Sequence, residues 1–360
     1  MKDKHFWYWL VNIEGVGRGT ILKLLKEFKT PKAIYEASEN EVKPYLKPSQ
    51  LTNFLLSKKD EQIMEGFRSM EEKGVNFLYP TQAEYPRKLK EIYDYPLGLY
   101  YTGKLPKNEG KSIAIVGSRN CSPYGREMAY YFGRELAKQG VEVISGFAAG
   151  VDSMAHKGAL EASGSTIGVL GCGIDICYPI DNIHLYREMK EKAGLLSEYG
   201  LKVQPRRQLF PMRNRIISGL CDGVLVVEAK AKSGSLITAD QGLEQGRDIF
   251  ALPGRRGDVH SEGCNNLIKM GAKLVTEVED ILEEWGIFTE NKEKICEKKQ
   301  NLLDKKDKMV YSCLSLEPKY IDAIVKECKL SVQETISILF RLEMENKIKQ
   351  IVKNYYMITV

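Results

Sequence analysis

The chain has 360 residues, of which 43% are hydrophobic and 28% are charged, and its formal net charge is +5 at pH 7. This length predicts roughly two or three domains, and the composition excludes a globally disordered protein. No run of about 18 apolar residues could span a membrane, and the N-terminal stretch lacks the features of a secretion signal, so we expect a cytoplasmic protein.

The first part of the chain has the pattern of a small helical domain. Residues 1–80 are rich in Lys, Glu, Leu and Phe, and the apolar residues in 20–25 and 61–67 recur at helical spacing. Residues 81–110 carry prolines and tyrosines without a clear period, and we interpret them as a connector to the next domain.

The central part of the chain changes to short β-branched runs that alternate with helical stretches. The expected strands are residues 112–116, 141–144, 166–170, 223–227 and 248–252. This alternation is typical of an α/β protein with a doubly wound, mostly parallel sheet of the Rossmann type. Ligands of such sheets bind beyond the carboxyl ends of the strands, so the loops at those ends are where we expect a site.

The C-terminal part of the chain predicts a linker and a third unit. Residues 289–308 are mostly Lys, Glu, Asp and Asn, which is typical of a flexible linker. Residues 309–360 predict three helices followed by two alternating runs, the order of a winged helix. We therefore expect a helical domain over 1–80, the α/β domain over 81–288 including its connector, and the winged-helix domain over 309–360.

The first candidate anion-binding loop follows the expected strand 112–116. Gly117 would let the backbone approach a phosphate, Ser118 follows it, and Arg119 would offer a guanidinium fork to phosphate oxygens. Such a short motif is weak evidence for a phosphate site by itself, because a plain tight turn explains it about as often.

Later loops of the same domain repeat this composition. Gly146 and Gly150 bracket the turn after the second expected strand, and Asp152 follows either as a helix cap or as a residue of the site. The other candidate phosphate-binding residues in these loops are Lys230, Ser233, Gly234, Ser235, Thr238, Arg247, Pro253 and Gly254.

The most distinctive stretch is 204–219, which contains four arginines within ten residues and no acidic residue among them. A solvated surface helix usually mixes both signs of charge, so this cluster favours an anionic partner. Phe210 lies among the arginines and could support a stacked base, which is how unpaired strands are bound. The candidate residues for single-stranded DNA in this stretch are Arg207, Phe210, Arg213, Asn214 and Arg215.

The number of these loops bears on the class of ligand. A mononucleotide needs one or two of them, whereas a strand with many phosphates can use them all. Carboxylates are scarce beside the loops: Asp152 is one, and Glu228 is expected to accept hydrogen bonds from loop N–H groups. A catalytic pair of Asp152 with His156 is the less favoured alternative. The sequence therefore predicts a binding protein with no catalytic residue, no metal and no cofactor.

Taken in order, these motifs resemble the DNA-processing protein A (DprA, also called Smf) family. The resemblance implies an extended Rossmann-type domain and a homodimer that binds and protects single-stranded DNA. It also implies delivery of the RecA recombinase onto that DNA in natural transformation, without enzymatic turnover. One departure is Ala149, where relatives often carry Arg or Lys. The matching segments are residues 117–119, 145–152, 171–179, 210–219, 233–239, 245–247, 253–254 and 263–272.

The two flanking domains are less distinctive. Residues 13–17 resemble a helix-hairpin-helix unit, and family members carry a related helical (SAM or helix-hairpin-helix-like) domain there. The glycine turn of this unit either contacts a DNA phosphate or simply belongs to a domain that packs on the core. The winged helix is a variable feature of the family. Its third helix carries Glu334, Glu343 and Glu345 against Arg341, which favours a protein contact over the DNA major groove.

A second function class remains open from the sequence. Related Rossmann families include enzymes that process a nucleotide or a nucleoside phosphate. Those enzymes usually show a Pro-Gly-Gly run followed by Gly-Thr and a Glu, and only Pro253 and Gly254 of that set are present here. We therefore keep nucleotide processing as the alternative to binding of single-stranded DNA.

Overall fold

The computed structural model describes residues 2–59, 61–287 and 305–359. The N-terminal helices are α1 (Asp3–Val11), α2 (Arg18–Phe28), α3 (Pro31–Glu36), α4 (Glu39–Val42), α5 (Pro48–Ser57) and α6 (Glu61–Glu72). Helix α3 shows why such helices begin where they do: Pro31 occupies its first turn, and the Thr30 hydroxyl accepts a hydrogen bond from the Ala33 N–H at 3.1 Å.

A single sheet of nine strands forms the centre of the described chain. Its strands are β1 (Asn76–Leu78), β2 (Leu99–Gly103), β3 (Ser112–Val116), β4 (Glu142–Ser145), β5 (Thr166–Leu170), β6 (Gly194–Ser197), β7 (Gly223–Val226), β8 (Asp248–Ala251) and β9 (Lys273–Leu274). They lie in the order β1-β2-β6-β5-β4-β3-β7-β8-β9. The seven neighbouring strands β6-β5-β4-β3-β7-β8-β9 are parallel to one another. Strand β2 pairs with β6 and with β1 in antiparallel fashion.

Helices cover both faces of this sheet. They are α7 (Arg87–Lys90), α8 (Pro123–Lys138), α9 (Val151–Glu161), α10 (Ile183–Lys192), α11 (Leu209–Gly219), α12 (Gly234–Glu244), α13 (Glu262–Lys269) and α14 (Val278–Glu284). Strand β3 illustrates the two layers: Ile113 and Ile115 pack with α8, α9 and α14, whereas Ala114 and Val116 pack with α11, α12 and α13. A strand buried on both faces must be apolar throughout, which explains its unbroken apolar sequence. The predicted doubly wound, mostly parallel α/β fold is confirmed.

The order of the strands creates a crevice beside β3. The chain proceeds from β3 through β4 and β5 to β6 on one side, and then returns to place β7 on the other side of β3. The connections that leave β3 and β7 therefore run in opposite directions. In sheets of this kind the gap between them is the usual ligand site.

The sheet is larger than the sequence pattern indicates. Strand β1 falls inside the region expected to be only helical, and β2 falls inside the expected connector. The sequence pattern does not predict strands β6 and β9 either. Three-residue β1 is too short to show a period, and the Gly-Leu-Leu-Ser sequence of β6 has no β-branched residue. These strands depend on tertiary packing and not on local sequence preference. Strand β6, for example, is buried on both faces.

The C-terminal unit has the predicted winged-helix order. Its elements are α15 (Lys305–Ser312), β10 (Lys319–Tyr320), α16 (Ile321–Cys328), α17 (Val332–Met344), β11 (Ile348–Val352) and β12 (Tyr355–Ile358). It has its own core, in which Val310, Ile324 and Leu339 are fully buried. Residues 289–304 of the expected linker lie outside the described residues, and 305–308 begin α15. No helix that the structure describes combines the length and the apolar character needed to cross a lipid bilayer.

Candidate functional site

A cleft of about 580 Å³ opens at the carboxyl edge of the sheet, between β3 and β7. Its walls are the loop after β3, the loop between β7 and α12, and the first turns of α11. The cleft therefore lies in the crevice that the strand order creates. The expected site residues that line it are Gly117, Ser118, Arg119, Asp152, Arg207, Phe210, Arg213, Asn214, Lys230, Ser233, Gly234, Ser235 and Thr238.

Glycines allow the loops under the cleft to touch each other. A Cβ atom at Gly117 would lie 2.7 Å from Val151 Cγ2 and 2.9 Å from the Glu228 carbonyl oxygen. Gly150 has a φ of +80°, and a Cβ there would overlap the carbonyl oxygen of Ser118. The Ser118 N–H in turn donates to the Glu228 carbonyl at 2.8 Å. Because glycine has no Cβ, these two positions allow the loop backbones to pack directly against one another.

Glu228 at the end of β7 has the structural role expected for it. Its carboxylate accepts hydrogen bonds from the Ser122 N–H, at 2.9 Å, and from the Ser122 hydroxyl. The same hydroxyl accepts from the Gly125 N–H at 3.0 Å and so caps α8. A Cβ at Gly125 would overlap the Glu228 carboxyl group. Glu228 thus fixes the start of α8 against the end of β7, and the prediction is confirmed.

Arg213 and Asp152 form the charged floor of the cleft. Arg213 is only 4% exposed, and its guanidinium donates to the carbonyl oxygens of Gly146 and Val169. Burial lowers the pKa of Arg213 to about 10, while the nearby Asp152 carboxylate opposes that shift. Burial likewise raises the pKa of Asp152, against the attraction of Arg213. Asp152 Oδ2 also accepts a hydrogen bond from the Ala148 N–H at 3.3 Å, so this carboxylate stabilises the loop after β4.

The environment of His156 does not support a catalytic pair with Asp152. His156 is fully buried, and its Nδ1 lies 2.7 Å from the Thr166 hydroxyl. Burial lowers its pKa to about 3, and the charge of Arg213 acts in the same direction. His156 is therefore a neutral core residue at physiological pH.

Aromatic rings and cations meet on the wall that α11 provides. The Arg119 guanidinium lies 4.9 Å from the centroid of the Phe210 ring, and the Tyr178 ring lies 5.6 Å from it. Tyr178 is 42% exposed and lines the cleft, although the sequence did not single it out. An aromatic residue directly before Pro179 in the loop after β5 was the available signal.

The cleft is also lined by four exposed cations: Arg119, Arg207, Lys230 and Lys232. No carboxylate within the described ranges pairs with any of them. Lys232 was missed as a site residue, although it follows Lys230 by two positions. The cleft thus offers uncompensated positive charge at its rim and a buried, compensated charge at its floor.

The first turn of α12 closes the cleft opposite Arg119. Ser233 precedes the helix, and its hydroxyl lies 2.8 Å from that of Ser235 and accepts from the Ser235 N–H at 3.4 Å. Asn214 reaches across from α11 and donates to the Gly234 carbonyl at 3.4 Å. A helix N-terminus is a favourable place for an anion, because its dipole and its N–H groups favour negative charge.

Two of the expected arginines do not reach the cleft, which corrects the prediction that they share this site. Arg215 lies on the other side of α11, where its guanidinium pairs with Asp94 at 2.9 Å and with Glu198 at 2.7 Å. Arg247 directly precedes β8 and so lies at the amino edge of the sheet. There it donates to the carbonyl oxygens of Lys88 and Gly219. Parallel strands end at one edge and begin at the other, so a residue before β8 cannot join the loops that follow the strands.

Besides Gly150, three expected glycine and proline positions lie near the cleft without lining it. Gly146 sits beneath the floor, where a Cβ would come within 2.7 Å of both Arg213 Nη2 and Asp152 Oδ2. Pro253 and Gly254 follow β8 at the carboxyl edge, outside the cleft wall. Gly254 is held by Asn265, whose side chain bonds its N–H and its carbonyl at 3.1 and 3.0 Å. Within the described ranges, no group of three or more His, Cys, Asp or Glu side chains could hold a metal ion.

Comparison with protein families places the described core and the C-terminal unit in one group of proteins. The family model for DNA recombination-mediator protein A matches residues 76–286, and a model for the DprA winged helix domain matches residues 297–351. The chain is 44% identical over 214 residues to DNA processing protein DprA of Bacillus subtilis, covering 59% of this chain and 72% of the relative. It is 49% identical over 208 residues to protein Smf of Escherichia coli, covering 57% and 56%.

The chain is also similar to solved structures of DNA processing protein A. The X-ray structure of DNA processing protein A from Streptococcus pneumoniae has a TM-score of 0.69 and 37% identity, over 79% of this chain and 98% of that one. A structure of DNA processing protein A from Helicobacter pylori, reported for its single-stranded DNA binding mode, has a TM-score of 0.53 and 30% identity. That match covers 59% of this chain and 95% of that one.

Proposed function

The chain belongs to the DNA recombination-mediator protein A (DprA/Smf) family, and from this premise we propose that it binds single-stranded DNA in the cleft between β3 and β7. One observation carries the proposal: the exposed Tyr178 ring, the partly exposed Phe210 ring and cations without carboxylate partners among the described residues occur together in this cleft. The Helicobacter pylori relative, reported for its single-stranded DNA binding mode, supports the same class of ligand.

The chemistry of the wall suits an unpaired strand better than a duplex. Phe210 and Tyr178 offer flat apolar surface on which a base can stack, and duplex bases are already stacked on each other. Arg119, Arg207 and Lys230 then neutralise backbone phosphates and release counterions. The N–H groups and hydroxyls at the start of α12 can receive a further phosphate.

Arg213 and Asp152 have a different role in this proposal. Arg213 is almost entirely covered, so it holds the loop after β4 and the end of β5 at their distance from α11 rather than contacting phosphates freely. The Asp152 carboxylate is occupied by a backbone N–H and faces the Arg213 charge. We propose that the protein is not an enzyme, because the remaining groups of the cleft bind anions and none is placed as a general base.

Family membership also supports finer proposals. We propose that the protein acts as a homodimer in the cytoplasm, where it protects single-stranded DNA and loads the RecA recombinase onto it during natural transformation. Exposed apolar side chains provide a surface for self-association around α12, α13 and β9. They are Leu243, Val259, Met270 and Leu274.

Binding titrations test the main proposal. A fluorescent single-stranded oligonucleotide and its duplex are titrated with the protein at several salt concentrations, and we expect preference for the single strand with a steep fall in affinity as salt rises. Phe210→Ala should weaken single-strand binding by about 1–3 kcal/mol, the usual value of one stacked base. Tyr93→Ala is the matched control, because Tyr93 is an aromatic residue outside the cleft and is 95% exposed. Equal affinity for duplex, or equal effects of the two variants, would contradict the proposal.

Separate assays test the finer proposals and the alternative function. Sedimentation should give a dimer, and a strand coated with the protein should form RecA filaments faster than a bare strand. The alternative, nucleotide processing, predicts turnover when nucleoside phosphates are incubated with the protein. We expect none, and turnover that is lost in Asp152→Asn would replace the binding proposal with an enzymatic one.

A further inference from the structure

An apolar stripe runs along the outer face of α17 in the C-terminal unit. Residues four positions apart lie on the same side of a helix, so the stripe is continuous over about 18 Å. The inner face of α17, with Leu339 and Leu342, is already buried in the core of the unit. The α17 stripe consists of Val332, Ile336, Phe340 and Met344, which are 54%, 47%, 64% and 70% exposed.

No residue that the structure describes covers the α17 stripe. Side chains of this size at these exposures leave roughly 400 Å² of apolar surface in contact with water, which is in the range of the largest patch on a typical monomer. Isolated exposed apolar residues are common, but four in one row on one helix indicate a contact surface.

The charges around the α17 stripe argue against a nucleic acid as its partner. Glu334 pairs with Lys306 at 2.7 Å, and Glu345 pairs with Lys347 at 2.7 Å. Arg341 pairs with Asp307. The helix flanks therefore carry little uncompensated charge of either sign. A polyanion gains nothing from such a surface, whereas two copies of it can approach without repulsion.

We propose that the α17 stripe binds the same stripe of a second copy of this chain, with the two helices antiparallel about a two-fold axis at the level of Ile338. In this arrangement Val332 faces Met344 of the partner subunit, and Ile336 faces Phe340 of the partner subunit. Each pair joins a smaller side chain to a larger one, which keeps the helices evenly spaced. A two-fold contact needs such a self-complementary surface.

The same two-fold arrangement is consistent with the polar residues beside the stripe. Glu343 would lie opposite Gln333 of the partner subunit, and Glu345 opposite Ser331 of the partner subunit, so no carboxylate faces another. The stripe supplies about half of the roughly 800 Å² that each partner buries in an interface of standard size. The association is therefore weak and depends on protein concentration. It is independent of the DNA cleft, and it can join neighbouring proteins through their C-terminal units.

Sedimentation velocity of the full chain, without DNA and over a wide range of concentrations, tests this proposal. Phe340→Glu should lower the weight-average mass at high concentration by roughly twofold, because it buries a charge without a partner. Ser312→Glu is the control, since it adds the same charge at an exposed position of α15. Thermal unfolding of both variants should match the parent, and their affinity for a short single-stranded oligonucleotide should not change. That last result separates this proposal from the function of the cleft.

A mixing experiment tests the antiparallel register. Position 336 faces position 340 across the two-fold axis, so a chain with Ile336→Lys should associate through α17 with a chain with Phe340→Glu, although neither variant by itself should form assemblies larger than the homodimer proposed above. Recovery of mass in the mixture supports the arrangement. The proposal is overturned if Phe340→Glu has the same mass distribution as Ser312→Glu, or if the mixture recovers no mass.

Discussion

Replacement of Arg119 gives the sharpest test of how the cleft binds a strand. Arg119 is exposed, has no carboxylate partner among the residues the structure describes, and lies 4.9 Å from the centre of the Phe210 ring. It can therefore neutralise one phosphate and also hold the Phe210 ring in place. The first effect depends on charge alone, whereas the second depends on the flat guanidinium group.

The two effects have different magnitudes and different salt dependences. Loss of one phosphate contact should reduce the slope of log affinity against log salt by about 0.7 for a single strand. Loss of the charge and of the exposed cation–π contact together should cost about 1 kcal/mol, or roughly a fivefold increase in Kd. Arg119→Ala should show both changes. Arg119→Lys should keep the slope and show only a smaller loss of affinity, because it retains the charge.

The assay is fluorescence anisotropy of one oligonucleotide at four or more salt concentrations. Arg68→Ala is the matched control, since Arg68 is an exposed arginine on α6, outside the cleft. It should leave both affinity and slope unchanged. If Arg119→Ala retains the full salt slope while Arg68→Ala reduces it, the strand does not pass through this cleft.

Three further predictions concern the groups that support the cleft. Arg215→Met should lower the free energy of unfolding in urea by about 3 kcal/mol, because it leaves the half-buried Glu198 carboxylate unpaired. His156→Gln should flatten the dependence of stability on pH between 6.5 and about 3. Gly146→Ala should cost about 1–3 kcal/mol and reduce single-strand affinity, because its Cβ would displace Arg213.

Each of these predictions has an outcome that would contradict it. If the Arg215→Met variant is as stable as the parent but binds DNA poorly, Arg215 contacts phosphate and does not stabilise the fold. The folded pKa of His156 lies below its ordinary value, so the native state loses up to about 1.4 kcal/mol per pH unit as pH falls through this window. An unchanged profile in His156→Gln would refute that assignment. Gly19→Ala, where no atom lies within 4 Å of the new Cβ, is the control for Gly146→Ala.

Much of the cleft could be predicted because its residues follow strands that are easy to recognise. The β-branched sequence of β3 ends directly at Gly117, and the apolar run of β7 ends at Glu228, so the loops that follow them belong to one edge of a parallel sheet. The winged helix could be predicted for a similar reason, since its helices and its hairpin each have a clear local period.

Arg215 and Arg247 lie outside the cleft because of the elements that carry them. Arg213 and Arg215 are two positions apart on α11, and such residues point about 200° apart around a helix, so both could not face the cleft. Arg247 precedes a strand, and its position alone places it at the opposite edge. The number of arginines in a stretch therefore does not determine which of them face the cleft, because that depends on the helix or strand that carries each one.

By itself, the sequence determined the five strands with β-branched apolar runs, the helical segments and the glycine loops, because these depend on local period and on backbone freedom. The short strands β1, β2, β6 and β9 have no such local signal. Only the tertiary structure decided which loops meet. The order of strands places β7 beside β3, so Ser233 and Arg119 share a cleft although they are distant in the chain. It also decided which charges remain free: Arg119 is exposed, whereas Arg215 is neutralised by Asp94 and Glu198. Pairing of that kind depends on contacts between distant segments, which no local pattern records.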